Sequence, residues 1–309
     1  MMFSTMPELP EVETLCRELK KALVGRVIKS GKVFWPGTVM PLTPTTFLRQ
    51  LKNQKIKKVE RRAKILLLSL HPSELTLAIH LKMTGQLIYC PQGSTLKPAK
   101  VKPLIIGGHP QPLPQELSFG ELKDSPFHYT RLVLNFNNGD QLYFNDLRKF
   151  GWLHLLNPRI VATLHQYHGL EPLSPDLTPQ SFCAILDRYP KRKIKALLLD
   201  QTLIAGLGNI YADESCFAAR IKPGRRVATL VNREKIKLHR AIRSILTLAI
   251  KHGGTSTRDY RKSDGSRGGF AVYLQVYGRG GQPCSRCHKP IQKIKLAGRG
   301  THFCAKCQK

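Results

Sequence analysis

The chain has 309 residues, enough for two domains of ordinary size, each with its own core. Fifty Lys and Arg against 20 Asp and Glu leave a formal charge of +30, a field that selects a polyanion, nucleic acid above all, as partner. A hydrophobic content of 41% excludes a disordered chain, and no apolar run reaches the ~20 residues of a membrane-spanning helix.

In chain order, Val12, Leu15, Leu19 and Leu23 recur at helical spacing and predict a helix over Glu8–Val24. Pro10 is tolerated in its first turn, and Gly25 stops it. The period then shortens. Val27–Trp35, Ile56–Arg61, Lys64–Leu70, Leu75–Leu81 and Gln86–Tyr89 read as strands. Arg131–Phe136 and Gln141–Phe144 flank Asn138-Gly139, a hairpin signal, and Gly151–Leu156 is a further strand. The first half is therefore a helix on a mostly antiparallel β-sandwich. Between Pro91 and Pro126 seven prolines fall without periodicity, as in an inserted surface loop.

Asn157–Thr178 reads as an interdomain linker. Helices follow at Pro179–Arg188, Ile194–Leu199, Asn209–Ala219 and Val231–His252. Cys16, Cys90, Cys183 and Cys216 are scattered and read as plain buried thiols. The other four cysteines cluster: Cys284-x2-Cys287, sixteen residues, then Cys304-x2-Cys307. This is zinc-ribbon spacing, in which each CxxC turn brings two thiolates to one metal and four close a tetrahedral structural site for one Zn2+. The segment between them is basic and suits a nucleic-acid groove. The fold class is α+β: a helix on an antiparallel β-sandwich, then a helical region and a C-terminal zinc finger.

Several motifs occur together: PELPEVET at Pro7–Thr14, RRAK at Arg61–Lys64, HLKMTG at His80–Gly85, DLRKFG at Asp146–Gly151, GLEPL at Gly169–Leu173, GLGNIYADE at Gly206–Glu214 and LQVYGR at Leu274–Arg279. With the four-Cys finger, their order resembles the bacterial formamidopyrimidine-DNA glycosylases from Pro7 to the C-terminus, interrupted by the Pro-rich insertion. The resemblance implies a DNA glycosylase/AP lyase of base excision repair. Such an enzyme excises oxidised purines from damaged double-stranded DNA and then cleaves the strand. It also implies a catalytic domain over 7–156 with its insertion at 91–126, a linker over 157–178, a helix–two-turn–helix domain over 179–273 and a zinc finger over 274–309. A cytoplasmic, nucleoid-associated monomer with no membrane partner is expected.

In that family the mature protein begins with the proline. Met6 is then the initiator, removed by aminopeptidase, and Met1–Thr5 an extension of the reading frame. An N-terminal proline is a secondary amine whose α-amino pKa of about 7.7–8.0 leaves a useful neutral fraction at physiological pH. The resemblance makes Pro7 the nucleophile, Glu8 the general acid–base on the sugar, Glu11 a second carboxylate contacting the flipped nucleoside, and Lys64 a catalytic-site lysine. His80 and His128 match backbone-phosphate contacts. Met83, Arg148 and Phe150 match the wedge that fills the hole left by an extruded base. Lys82 and Leu147 depart from the commoner Gly and Pro at those motif positions. Asn209 and Arg299 match phosphate ligands, the former at a Gly-rich turn opening a helix, and Ser263–Gly269 matches a loop closing over the damaged base. Helix capping alone would also account for Glu8, Glu11 and Asn209.

Three rivals stand beside this reading. The endonuclease VIII family prefers oxidised pyrimidines and starts with PEGPEI rather than PELPEVET, so Leu9 argues against it. A non-catalytic DNA-binding protein results if translation begins at Met1. An RNA-associated zinc ribbon explains charge and cysteines but not the ordered motifs.

Overall fold

A computed structural model describes residues 6–92, 105–108, 129–255 and 269–309. Residues 1–5 and most of the Pro-rich insertion lie outside it, as do His128 and residues 263–268 of the expected closing loop. The chain divides into two compact units. The first centres on Glu11–His165 and includes residues 253–255 and 269; the second comprises Glu8–Pro10, Gln166–His252 and Phe270–Lys309.

In the first unit, helix α1 (Leu9–Leu23) carries Glu11 in its first turn and Lys20 and Lys21 in its last, each sign matched to the helix dipole. Gly25 follows with φ +87°, a conformation that ends the helix with little strain. Two antiparallel sheets complete the unit. One has five strands in the order β1 (Ile28–Val33), β7 (Thr130–Phe136), β8 (Gln141–Asp146), β5 (Gly85–Cys90) and β6 (Ile105–Gly108). The other has four, in the order β2 (Lys55–Arg62), β3 (Ile65–His71), β4 (Thr76–His80) and β9 (Trp152–Leu156). Leu15, Leu19 and Leu23 of α1 share one core with Leu66 and Leu68 of one sheet and Leu87, Leu134 and Phe144 of the other. Burying each such leucine contributes about 1.5–3 kcal/mol, so the helix is held by its apolar face rather than by propensity.

Two elements depart from the sequence expectation here. Strand β6 lies within the predicted insertion and pairs antiparallel with β5, Ile106 opposite Ile88. The segment is therefore not wholly irregular: cross-strand pairing overrides its poor local pattern. Helix α2 (Pro44–Leu51) was not expected. Thr43 Oγ1 accepts from Thr46 N at 3.3 Å, Pro44 sits at the first helical position, and Phe47 and Leu51 are buried.

Helix α3 (Pro158–Tyr167) occupies the first part of the predicted linker. Asn157 Oδ1 accepts from Ile160 N at 2.9 Å, and although no residue of the helix is fully buried, Leu164 packs against the apolar cluster of Ile65, Leu67 and Ala78, so a cap and one apolar contact favour it.

The second unit packs α4 (Pro179–Asp187), α5 (Ile194–Leu198), α6 (Asn209–Ala219) and α7 (Asn232–Lys251) around a core that includes Phe182, Leu197, Ile210, Tyr211, Leu238 and Leu246. Two turns join α5 to α6. Gln201 braces them: its Nε2 donates to Leu199 O and Leu207 O, and its Oε1 accepts from Gly206 N. The chain closes with the hairpin β10 (Gln292–Leu296) and β11 (Arg299–Phe303), whose turn residues Ala297 and Gly298 take φ +49° and +72°. Two positive φ values suit the right-handed twist of a two-residue hairpin. Of the scattered cysteines, Cys16, Cys90 and Cys216 are buried as expected; Cys183 is only half-buried. Burial pushes the Cys16 and Cys90 thiols up to about 11, which keeps them protonated and unreactive near neutral pH. Among the described residues no helix is long and apolar enough to cross a membrane.

Candidate active site and nucleic-acid surface

Pro7 is buried two residues before the start of α1; in the 309-residue chain its nitrogen is an amide. Glu8 is 3% exposed, and its carboxylate accepts backbone N–H groups from Ile210 at 2.9 Å and Tyr211 at 3.4 Å. These are orphan donors of the first turn of α6, so the helix N-terminus holds the side-chain carboxylate. The Gly-rich turn was expected to offer that end to a phosphate; the described geometry gives the two N–H groups to Glu8 instead. The turn must be glycine-rich for the same reason: a Cβ on Gly208 would stand 2.2 Å from the Glu8 carboxyl carbon.

Glu11, one helical turn on and equally buried, faces different partners. Its Oε1 accepts from Thr255 N at 2.7 Å. Thr255 pairs with Gly269 in an isolated antiparallel bridge. The carboxylate thus anchors the root of the segment that contains the expected closing loop.

Lys64 lies in the two-residue turn between β2 and β3, after Ala63 at φ +52°. Arg61 shapes that turn by donating to Ala63 O at 2.8 Å, and Glu13 of α1 holds Arg61 at 2.9 Å. Burial raises the Glu13 pKa, but hydrogen bonds from Arg61 and Arg17 outweigh it and leave the carboxyl below its usual value. The RRAK motif therefore specifies both the lysine and its mount. His80 ends β4. Its Nδ1 accepts from Lys82 N at 2.9 Å, which leaves the ring proton on Nε2, and its ring tilts against Trp152 at 5.6 Å. Lys82 itself takes φ +51°, the left-handed region that suits glycine better and costs other residues about 1–2 kcal/mol.

Met83, Arg148 and Phe150 come from two turns and meet. Arg148 Nη1 donates to Met83 Sδ at 3.0 Å, and the guanidinium lies 4.8 Å from the Phe150 ring centre. Phe150 is 55% exposed, so this aromatic is no core residue. The neighbouring Lys149 (φ +59°) rests its ammonium 4.2 Å over the Trp35 ring.

In the second unit Asn209 is not an N-cap: that position belongs to Gly208. Its Nδ2 instead donates to Gly300 O at 3.0 Å, next to exposed Arg299. The hairpin is gripped from below by a buried pair: Lys195 Nζ is 2.7 Å from Asp213 Oδ1, and both side chains are fully buried. Lys195 also donates to Thr301 Oγ1 at 2.7 Å and Gly300 O at 3.1 Å, and Asp213 accepts from His302 N at 2.8 Å. Sequence reading gave no role to Lys195, although Asp213 lies inside a quoted motif; an ion pair between separate elements has no local pattern.

The sulfurs of Cys284, Cys287, Cys304 and Cys307 all lie within 4.8 Å of one another. Backbone N–H groups of Arg286 and Cys307 point at Cys284 and Cys304 sulfurs at 3.4 Å. Four converging sulfurs with N–H donors behind them fit one structural zinc.

Comparison with known proteins places these features in one setting. Residues 6–153 match the formamidopyrimidine-DNA glycosylase N-terminal domain, 168–261 the H2TH domain of the same glycosylases, and 281–309 the zinc finger found in FPG and IleRS. The formamidopyrimidine-DNA glycosylase of Chloroflexus aurantiacus is 42% identical over 306 residues, 98% of either chain. Among solved structures, a point mutant of Lactococcus lactis FPG in complex with Fapy-dG-containing DNA superposes with a TM-score of 0.81 at 36% identity, covering 98% of this chain and 100% of that one. The L. lactis protein with abasic-site DNA gives 0.80 at 35%, covering 98% and 99%.

Proposed function

The chain belongs to the formamidopyrimidine-DNA glycosylase family, and from that premise we propose that it is a bifunctional DNA glycosylase/AP lyase of base excision repair acting on oxidised purines. The observation that carries the reading is the match over 98% of the chain to a protein solved on Fapy-dG DNA. The +30 charge and the four-sulfur zinc cluster support the same partner, damaged double-stranded DNA.

The chemistry assigns Pro7 as nucleophile once the residues before it are removed. Its nitrogen lone pair attacks the sugar's anomeric carbon, the bond to the base breaks, and the base leaves with that bond's electron pair and a proton. The nitrogen loses its proton, and the bond from the anomeric carbon to the ring oxygen then breaks, the oxygen keeping the electron pair and taking a proton from Glu8 while the nitrogen lone pair forms the iminium. The resulting iminium is an electron sink: loss of the adjacent sugar proton lets the phosphates be eliminated. Glu8 is the acid–base group on the sugar, and burial against two N–H donors fixes its orientation. Lys64 steers phosphate, and Glu11 holds the closing segment at its root. His80, Asn209 and Arg299 take backbone phosphates, as His128 does in the sequence reading. Met83, Arg148 and Phe150 occupy the gap left by the flipped base. In this reading 7–156 is the catalytic domain, 179–273 the helix–two-turn–helix domain and 274–309 the zinc finger.

The test uses two forms of the protein, one beginning at Met1 and one at Met6, with duplex containing 8-oxoguanine opposite cytosine and borohydride. The Met6 form, after loss of Met6, becomes covalently trapped on DNA. Pro7→Gly processes the lesion more slowly, and Glu8→Gln binds but hardly excises. Trapping of intact Met1 protein would show that another amine is the nucleophile and would sink the Pro7 assignment.

A further inference from the structure

We propose that Asp146 is the positioning residue of the wedge: one buried carboxylate clamps together the two turns that carry Met83 and Arg148–Phe150. This rests on the glycosylase reading above and concerns how the wedge is held before a base is extruded.

Asp146 ends β8 opposite Gly85, the first residue of β5, and is fully buried. A carboxylate there has lost its water and must be repaid by donors. The donors are all neighbours of the wedge. Oδ1 accepts from Thr84 Oγ1, the residue after Met83, and from Arg148 N at 3.2 Å. Arg148 N also lies 3.1 Å from Thr84 Oγ1, so the three groups close a triangle. Oδ2 accepts from Gly151 N, the residue after Phe150, at 2.6 Å. Position 151 must be glycine for this: a Cβ would stand 2.6 Å from Phe144 Cζ and 3.1 Å from Asp146 Oδ2. Behind the side chain, Asp146 N donates to Tyr129 O at 2.9 Å and its carbonyl accepts from Arg131 Nε at 2.7 Å, so the clamp stands on a fixed strand end.

The carboxylate therefore brackets every wedge residue, holding the residue after Met83, Arg148 itself and the residue after Phe150. The wedge side chains already touch one another above it, Arg148 on Met83 and Phe150. A plug that fills a base-sized gap only helps extrusion if it arrives in register, and misplacement by about 1 Å is enough to lose a large part of a rate. Asparagine substitutes poorly: one oxygen would still accept, but the NH2 would face a backbone N–H on either side, that of Arg148 or that of Gly151, and only the Thr84 hydroxyl could turn to accept from it.

The experiment uses the full, zinc-loaded protein after Met6 removal and two duplexes. One carries 8-oxoguanine opposite cytosine, the other 8-oxoguanine opposite an abasic site, where no orphan base awaits the wedge. 2-Aminopurine beside the lesion reports opening. Asp146→Asn is expected to slow opening and excision opposite cytosine by about tenfold or more, while excision opposite the abasic site falls less than about threefold. Thr84→Val removes one arm and follows the same split with a smaller loss, and Thr84→Ser restores it. Equal loss on both duplexes, or no loss on either, overturns the proposal. If Asp146→Asn fails to fold, the Thr84 pair decides by the same criterion. A wild-type protein inactive on both duplexes defeats the glycosylase reading and this inference with it.

Discussion

Arg148 and Arg299 both stand exposed at short turns, Arg299 as the first strand residue after its turn, yet different chemistry holds them. The Arg148 turn closes over a single carboxylate whose partners are a hydroxyl and two backbone N–H groups. The Arg299 turn belongs to a two-stranded hairpin too small to bury a core of its own. It is secured by four cysteine sulfurs and by three hydrogen bonds that two side chains, Lys195 of α5 and Asn209 of α6, donate to Gly300 and Thr301. An isolated hairpin is marginal in water, so a metal and a buried ion pair take over what a sheet of five strands does for the first turn. The two turns should therefore fail under different insults.

The largest expected effect separates them by metal. Cys304→Ser leaves three thiolates, and apparent zinc-binding free energies of about 10–16 kcal/mol for whole sites in such fingers show how much folding depends on the metal. Metal analysis should find no zinc, and DNA binding should fall by about a hundredfold or more as the finger unfolds, while the far-UV signature of the sheets persists. Loss of the sheet signal as well would break the comparison.

The second effect removes the ion pair and keeps the metal. Lys195→Met strands a fully buried Asp213 and should cost about 3–5 kcal/mol in denaturant unfolding. Lys195→Met with Asp213→Leu should recover most of it, since a well-packed apolar pair replaces a buried ionic one with little loss. Zinc content should stay at one per chain in both. A single variant as stable as wild type would mean that the thiolates alone hold the hairpin.

The third effect reads the arginines themselves. If roughly six phosphates are neutralised, log K against log salt should fall with a slope near −5, and Arg299→Ala should make it shallower by about 1. Arg148→Ala should leave the slope nearly unchanged and lower the preference for lesion-bearing over undamaged duplex. Equal slope changes for both would place Arg148 on the backbone and not in the stack.

The smallest effect concerns the tie behind the finger. Arg225 donates to both Glu234 carboxylate oxygens and to Lys309 O. The Arg225 hydrogen bonds hold the Glu234 carboxyl below its ordinary value of 4.5. A depressed carboxylate stabilises the fold above its unfolded pKa, and that contribution disappears as pH falls through the folded one. Glu234→Gln should therefore cost about 0.5–1 kcal/mol at pH 7 and nothing once the wild-type carboxyl is protonated. A difference that persists in acid would assign the loss to packing and not to charge.

The sequence by itself determined the elements whose pattern is local. The apolar stripe of α1, the short β-type runs of both sheets, the Asn138-Gly139 hairpin and the spaced cysteine pairs were all legible, because each depends on neighbours within a few residues. The family resemblance carried by its contiguous motifs also supplied most of the candidate residues. Strand β6 escaped because its pairing partner lies in β5 and its own composition resembles a loop, whereas α2 and α3 had readable caps that the surrounding prolines obscured. Only the tertiary structure decided which atoms hold those residues. Glu8 is bound by the first turn of a helix some two hundred positions away, Asp146 joins two turns through Thr84, and Lys195 grips a hairpin more than a hundred residues on. Each is a buried charged group, and a buried charge survives only where hydrogen-bond partners converge on it, donors on a carboxylate and acceptors on an ammonium, from distant parts of the chain, a condition that no local spacing encodes.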